Sequence, residues 1–299
     1  HEGFNSYDVG VSLWSIDHHL GIRHSQLNAS LASYGDLRRY NTIIIPSGRS
    51  LNEYTLKILK DWVSQGGTLI AHNSSTRSLA SDKGIGSVKQ LQNTFENSKE
   101  YNFDLMREIY ALDNDINKDM TNENNVNFEL SYPWEEIEEF LSENELKDRD
   151  KWQSIFMPSG SFVAGRIDNE HWLTFGTTET IPVLYSNYPI LMTRSNSDAP
   201  VRIGNMIPNN EIDVPRVVNW SSIPAGFDLN VRMSGLVWPE ASQRIANSAY
   251  LTRERFGNGQ VILFSGEPNF RGATLGTNRL WLNAIVYGPG LGTRSKIDL

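Results

Sequence analysis

Two short runs without a charged residue decide most of what this chain can become. Thr42-Ile43-Ile44-Ile45-Pro46 and Thr68-Leu69-Ile70-Ala71 are apolar at their centres, the pattern of strands covered on both faces. Between them, residues 51–65 place Thr55, Ile58, Leu59, Trp62 and Val63 on one helical face, and Gly66-Gly67 stops the helix. Strand, amphipathic helix and strand with short connections specify a parallel pair whose helix packs back across the sheet. A third run, Gln260-Val261-Ile262-Leu263-Phe264, follows Gly257-Asn258-Gly259, which has hairpin-turn chemistry. The three runs predict neighbouring buried strands of one sheet.

The rest of the chain divides into a first α/β part (1–82), an acidic, partly helical insertion (83–160) and a β-rich remainder (161–299) that completes the domain. Val9, Leu13, Ile16 and Leu20 mark one face of a helix closed by Gly21, and residues 22–27 then alternate like a strand. Pro133 and the run Glu135, Glu136, Glu138 and Glu139 predict a helix over 133–146. Residues 161–166, 172–175 and 182–185 read as strands, and a last helix over 277–287 ends at Gly288-Pro289. The N-terminal stretch enters a helix with no strand before it, which suggests a piece of a longer polypeptide.

Charge narrows the partners. Residues 96–150 hold 17 acidic and 5 basic residues, so the formal net charge of −8 is local to the insertion. A nucleic-acid partner would need a basic face instead. No apolar run approaches the ~20 residues that cross a bilayer. The 299 residues include no cysteine, which removes disulfides, thiolate metal sites and cysteine nucleophiles.

The common catalytic patterns are missing too. None of the six histidines has an acid at zinc-site spacing, and no Gly-x-Ser-x-Gly elbow or phosphate-cradling glycine loop occurs. His18, His19 and His24 cluster around a helix end, where two surface imidazoles and a strand residue explain them without a metal. Asp113, Asp115, Asn117 and Asp119 occupy alternate places of a calcium loop. The sixth-place glycine is absent and Asn124 replaces the bidentate glutamate, so a solvated acidic loop is the better account.

Residues 41–76 have the order of a class I glutamine amidotransferase-like domain: an apolar strand ending in Pro-Ser-Gly, a helix, a glycine stop, a strand and a sharp turn. The resemblance implies a flavodoxin-like, doubly wound, mainly parallel α/β sheet, here with an acidic insertion and added β-hairpins. Active members carry their nucleophilic cysteine at that turn, and the match puts Asn73 there, followed by Ser74. Elbow residues often take positive φ, which asparagine tolerates. Where active members read Phe-His-Pro-Glu, this chain reads Phe264-Ser265-Gly266-Glu267. Of the triad's acid and base only Glu267 remains, and a carboxylate with no imidazole to orient activates no nucleophile. Arg271 is its expected ion-pair partner. Asn73, Ser74, Glu267 and Arg271 would then leave a shallow polar relic pocket at one end of the sheet.

A narrower resemblance spans most of the chain. Leu13-Trp14-Ser15-Ile16-Asp17, Arg39-Tyr40-Asn41, Asp61-Trp62-Val63, His171-Trp172-Leu173-Thr174-Phe175-Gly176, Ser234-Gly235-Leu236-Val237-Trp238-Pro239-Glu240 and Pro268-Asn269-Phe270-Arg271-Gly272 are similar to the C-terminal region of large secreted zinc carboxypeptidases of the carboxypeptidase A family from Bacteroidota-like bacteria. The resemblance implies a secreted, periplasmic or cell-envelope protein. An upstream peptidase domain would hold the zinc and act on peptide or protein substrates, with this chain as its non-catalytic accessory domain and no cofactor of its own. Two alternatives stay open: a residual hydrolase using Ser74 and Glu267, and a glycan or small-molecule module, hinted at by 8 tryptophans that core packing also explains.

Overall fold

In the computed structural model, which describes residues 3–27, 36–48, 50–112 and 141–294, the three apolar runs lie side by side. Strands β1 (Thr42–Ile45) and β2 (Thr68–His72) pair in parallel, with Thr42 opposite Thr68 and Ile45 opposite Ala71. There follow β3 (Lys89–Gln90), β4 (Ser161–Ile167), β5 (Thr180–Tyr185), β6 (Leu191–Met192), β7 (Ser197–Ile203) and β8 (Asn205–Pro208). The last strands are β9 (Arg216–Val218), β10 (Ser221–Ile223), β11 (Phe227–Asn230), β12 (Arg232–Ser234), β13 (Ala249–Phe256) and β14 (Gly259–Phe264).

The main sheet runs β1-β2-β14-β13-β7-β4-β12, with β5 also on β4, β6 on β13 and β3 on β6. Strand β14 lies parallel to the other side of β2, Gln260 facing Thr68 and Phe264 facing His72. The predicted turn joins β13 to β14, with Gly257 at φ 60°. Beyond β14 every pairing is antiparallel, so the parallel block carries its added hairpins on one side.

Helices cover both faces, as a doubly wound α/β sheet requires. On one face Leu69, Ala71, Val261 and Leu263 pack with Leu56, Leu59, Trp62 and Val63 of α2 (Glu53–Ser64, after α1, Ser6–Ser15). Each buried leucine or valine among them contributes about 1.5–3 kcal/mol of transfer free energy. Asn52 starts α2 by accepting from the Thr55 amide at 2.7 Å. At Gly67 a Cβ would meet the Trp62 ring at 2.6 Å, so the stop after α2 admits only glycine. Next come α3 (Ser74–Leu79), α4 (Ser98–Leu112), α5 (Glu143–Gln153), α6 (Pro239–Ile245) and α7 (Leu275–Leu291). On the other face Ile70, Ile262 and Phe264 pack with Leu280, Trp281, Ala284 and Ile285 of α7.

Part of the acidic segment belongs to that second core. Tyr101 and Leu105 of α4 and Leu146 of α5 are buried in it. Glu108 clamps the buried Arg202 of β7 through two bonds of 2.6 and 2.5 Å. The calcium candidate Asp113, Asp115, Asn117 and Asp119 lies outside the described residues.

Four sequence expectations need correction. Residues 22–27 form no strand, and Ile22 and Leu27 are exposed, because alternation without a neighbouring edge gives the backbone nothing to pair with. Trp172–Thr174 is a 3-10 turn, nucleated by the His171 ring accepting from the Leu173 amide at 3.1 Å. The helix expected over 133–146 begins, within the described residues, at Glu143 and runs to Gln153. Its start is a capping box between Ser142 and Glu145. The last helix passes through Gly288-Pro289 to Leu291, since a proline in the final turn removes only one internal hydrogen bond.

Candidate functional site

Three strand ends converge. β1 runs into Pro46-Ser47-Gly48, β2 into Asn73, and β14 into Ser265-Gly266-Glu267. Asn73 sits at φ 54°, ψ −126° at the start of α3, so the sharp turn expected there is present and carries an amide side chain. Its backbone amide donates to the Phe264 carbonyl at 3.1 Å, and the Thr76 hydroxyl donates to the same carbonyl at 3.0 Å. These bonds carry the elbow to the end of β14. There Asn73 Nδ2 donates to Glu267 Oε1 at 3.1 Å. Asn73 and Glu267 thus meet at the same end of the sheet, as expected.

Ser74 is fully occupied. Its Oγ accepts from the Gly48 amide at 2.8 Å, lies 2.7 Å from the Gly48 carbonyl as a donor, and is 2.8 Å from Ser47 Oγ. Ser75 Oγ donates to the Pro46 carbonyl at 2.6 Å. The first turn of α3 is therefore stitched to the end of β1, and the Ser74 hydroxyl has no basic nitrogen among these partners.

The sequence did not reveal Asp8. It lies on α1, is 6% exposed, and its carboxyl shares a hydrogen bond with that of Glu267 while interacting with Ser47. Burial raises its pKa, and those two partners oppose the rise. Burial, then the Asp8 charge, then the bond to Asp8 push Glu267 up to about 7; Asn73 and Arg271 pull weakly the other way. The Tyr188 hydroxyl faces the Glu267 backbone, and its pKa is raised, chiefly by burial. Nothing in the local sequence of Asp8 or Tyr188 marks them, because both reach the site from distant elements.

Two other sequence candidates fare differently. Arg271 forms no ion pair with Glu267: at φ 50° its guanidinium turns over the Phe270 ring, 5.0 Å from the centroid. Ser265 is 1% exposed and its Oγ has no hydrogen-bond partner among the described residues. His72, one residue before the elbow, is fully buried with neither ring nitrogen bonded, and burial lowers its pKa to about 4. It is a neutral ring inside the protein rather than a base beside Ser74.

Away from the strand ends, His18 stacks on Trp14 at 4.8 Å, His19 meets Trp14 edge-on at 5.0 Å, and His24 lies 3.5 Å from Asp17. Among the described residues no group of three or more His, Cys, Asp or Glu side chains is arranged to hold a metal ion. Trp62, Trp220 and Trp281 are core residues, whereas Trp152 and Trp238 are exposed and flank Phe156 at 5.1 and 6.4 Å. No described helix is long and apolar enough to cross a membrane.

No family model matches the chain, and no curated protein matches it. Among solved structures it is similar to a ThuA-like protein from Bacteroides uniformis, with a TM-score of 0.45 and 10% identity over 99% of this chain and 91% of that one. It is also similar to two cytoplasmic proteins of Salmonella typhimurium. One has a TM-score of 0.41 and 12% identity over 99% of this chain and 89% of that chain. The other has a TM-score of 0.40 and 13% identity over 92% and 85%.

Proposed function

We propose that this chain is a catalytically silent amidotransferase-like domain, an accessory to a zinc metallocarboxypeptidase whose peptidase domain lies upstream in the same polypeptide. The single observation that carries the silent reading is the Asn73–Glu267 bond. The elbow survives, but its side chain is a hydrogen-bond donor locked to the one remaining acid of the triad. Acyl transfer needs a nucleophile with a base to take its proton, and neither the Asn73 side chain nor the hydrogen-bond partners of Ser74 Oγ supply that pairing. The bonds of Ser74 Oγ to Gly48 and Ser47 count against the residual-hydrolase alternative.

The carboxypeptidase setting is supported by the six ordered motifs of the sequence, from Leu13-Trp14 to Phe270-Arg271. In that setting the zinc and the hydrolysis of C-terminal peptide bonds belong to the upstream domain, and export to the periplasm or beyond is part of the proposal. This domain would stabilise the peptidase or help it hold protein substrates. Purified alone, the chain should release no ammonia from glutamine, cleave no ester and remove no C-terminal residue from peptides. In the full polypeptide, deleting it should raise KM for protein substrates and spare cleavage of a blocked dipeptide. An upstream open reading frame without a zinc peptidase domain would reject the proposal.

The exposed Trp152 and Trp238, flanking the half-buried Phe156, favour a second reading, a binding module for sugar rings, which stack on exposed aromatic faces. Glycan-array binding lost on Trp152→Ala and Trp238→Ala together would support it.

A further inference from the structure

Helix α1 is built inside out. Its buried positions are Asp8, Ser12 and Ser15, while Tyr7 is 83% and Trp14 44% exposed. A surface helix is normally held by an apolar stripe. This one is held by a short bridge between Phe4 and Gly48, by the Asn5 amide donating to the Ser47 carbonyl at 2.8 Å, and by Asn269 Nδ2 donating to Ser15 Oγ at 3.4 Å. Ile16, just beyond it, reaches the core. Between these ties the Asp8 carboxyl meets that of Glu267 over the strand ends.

Two carboxyls can hydrogen-bond only while one of them carries a proton; once both ionise they repel. Asp8 Oδ2 is buried and receives no hydrogen bond from any N–H or hydroxyl among the described residues, so a proton from Glu267 is what can satisfy it. We infer that α1 is a proton-held latch over the ends of the parallel strands, closed while Asp8 and Glu267 share a proton and loosened, uncovering Asn73, Ser74 and Glu267, when that proton leaves.

The neighbouring groups leave this pair to titrate alone near neutrality. Tyr188 and Tyr250 have raised pKa values and stay phenols. The Arg271 charge is the last of the influences on Glu267 and favours its ionised form, and His72 is neutral above about 4. Ser47 and Asn73 carry no charge. The closed-state pKa of Glu267, about 7, lies above its ordinary 4.5, so the latch is fully stabilised below 4.5 and loses that stabilisation as pH rises through 7. Opening should increase by up to roughly tenfold per pH unit within this window and level off above it.

Hydrogen exchange of the whole chain between about pH 5 and pH 8, corrected for intrinsic rates, reads this directly. Protection of residues 6–20 should fall across the window while residues 260–264 of β14 keep theirs. Glu267→Gln, whose amide can donate to Asp8, and Asp8→Asn, whose amide can donate to Glu267, should each hold residues 6–20 protected at both ends of the range. Equal protection of wild type at both pH values would overturn the latch. So would the same loss in either variant, or a loss shared equally by β14.

Discussion

The side chains of Asn73 and Glu267, 194 residues apart in sequence, are joined by a 3.1 Å hydrogen bond that ties the elbow after β2 to the end of β14. Asn73 also carries the positive φ of the elbow, so two different properties of one residue are in use there.

Substitution at Asn73 should separate them. Asn73→Ala loses the bond and strains the backbone, and should cost about 2–3 kcal/mol. Asn73→Gly loses the bond but adopts the backbone freely, and should cost no more than about 1 kcal/mol. Denaturant unfolding of both variants checks the order; an alanine variant as stable as the glycine one would show that the elbow is unstrained.

Ser74→Ala removes the acceptor of the Gly48 amide and the neighbour of Ser47. We expect a loss of about 1–2 kcal/mol from the part-buried amide left unpaired. On the proposed non-catalytic reading, a fluorophosphonate probe should label neither protein. Labelling of wild type that disappears in the variant would restore the hydrolase reading.

His72 should limit stability on the acid side. Its folded pKa, about 4, lies below its ordinary 6.5, so the unfolded chain binds its proton first. The stability that its neutral form allows is present above 6.5 and lost as pH falls towards 4. His72→Leu removes this linkage, and its unfolding free energy should gain on wild type by up to about 1.4 kcal/mol per pH unit over that range. Parallel pH profiles for the two proteins would mean that His72 is not buried in its neutral form.

Glu108→Ala leaves the guanidinium of Arg202, 5% exposed, without its carboxylate. Breaking a buried pair from one side should cost about 3 kcal/mol. The loss should appear in one cooperative transition rather than as separate melting of α4, since Tyr101 and Leu105 share the core under the sheet. Two resolved transitions would make the acidic segment an independent unit.

The core of the fold was legible because its signals are local. Residues 68–72 and 260–264 announce buried strands by composition alone, whereas residues 42–46 form a strand that is half-buried at the sheet edge; Gly66-Gly67 and Gly257-Asn258-Gly259 punctuate these runs where they stand. Asn73 and Glu267 were placed by the order of residues around the same strands. Asp8 and Tyr188 were not foreseen as partners of Glu267, because those contacts depend on how α1 and the loop after β5 fold back over the sheet. Arg271 misled for a related reason: four residues from Glu267 it looked like an ion-pair partner, but its left-handed backbone turns the guanidinium away to Phe270.

The position of β14 also bears on how the chain is made. β2 is paired on one side by β1, available within the first fifty residues, but its other neighbour begins at Gly259, and Gln260 reaches Thr68 across 192 residues. During synthesis β2 must wait with one edge open while the α4 segment, β4 to β13 and their turns emerge. Long-range pairing of this kind folds slowly and leaves an apolar edge available to other chains. A nascent chain arrested before residue 259 should therefore bind chaperones or aggregate, and emergence of β14 should bring the centre of the sheet together in one late step.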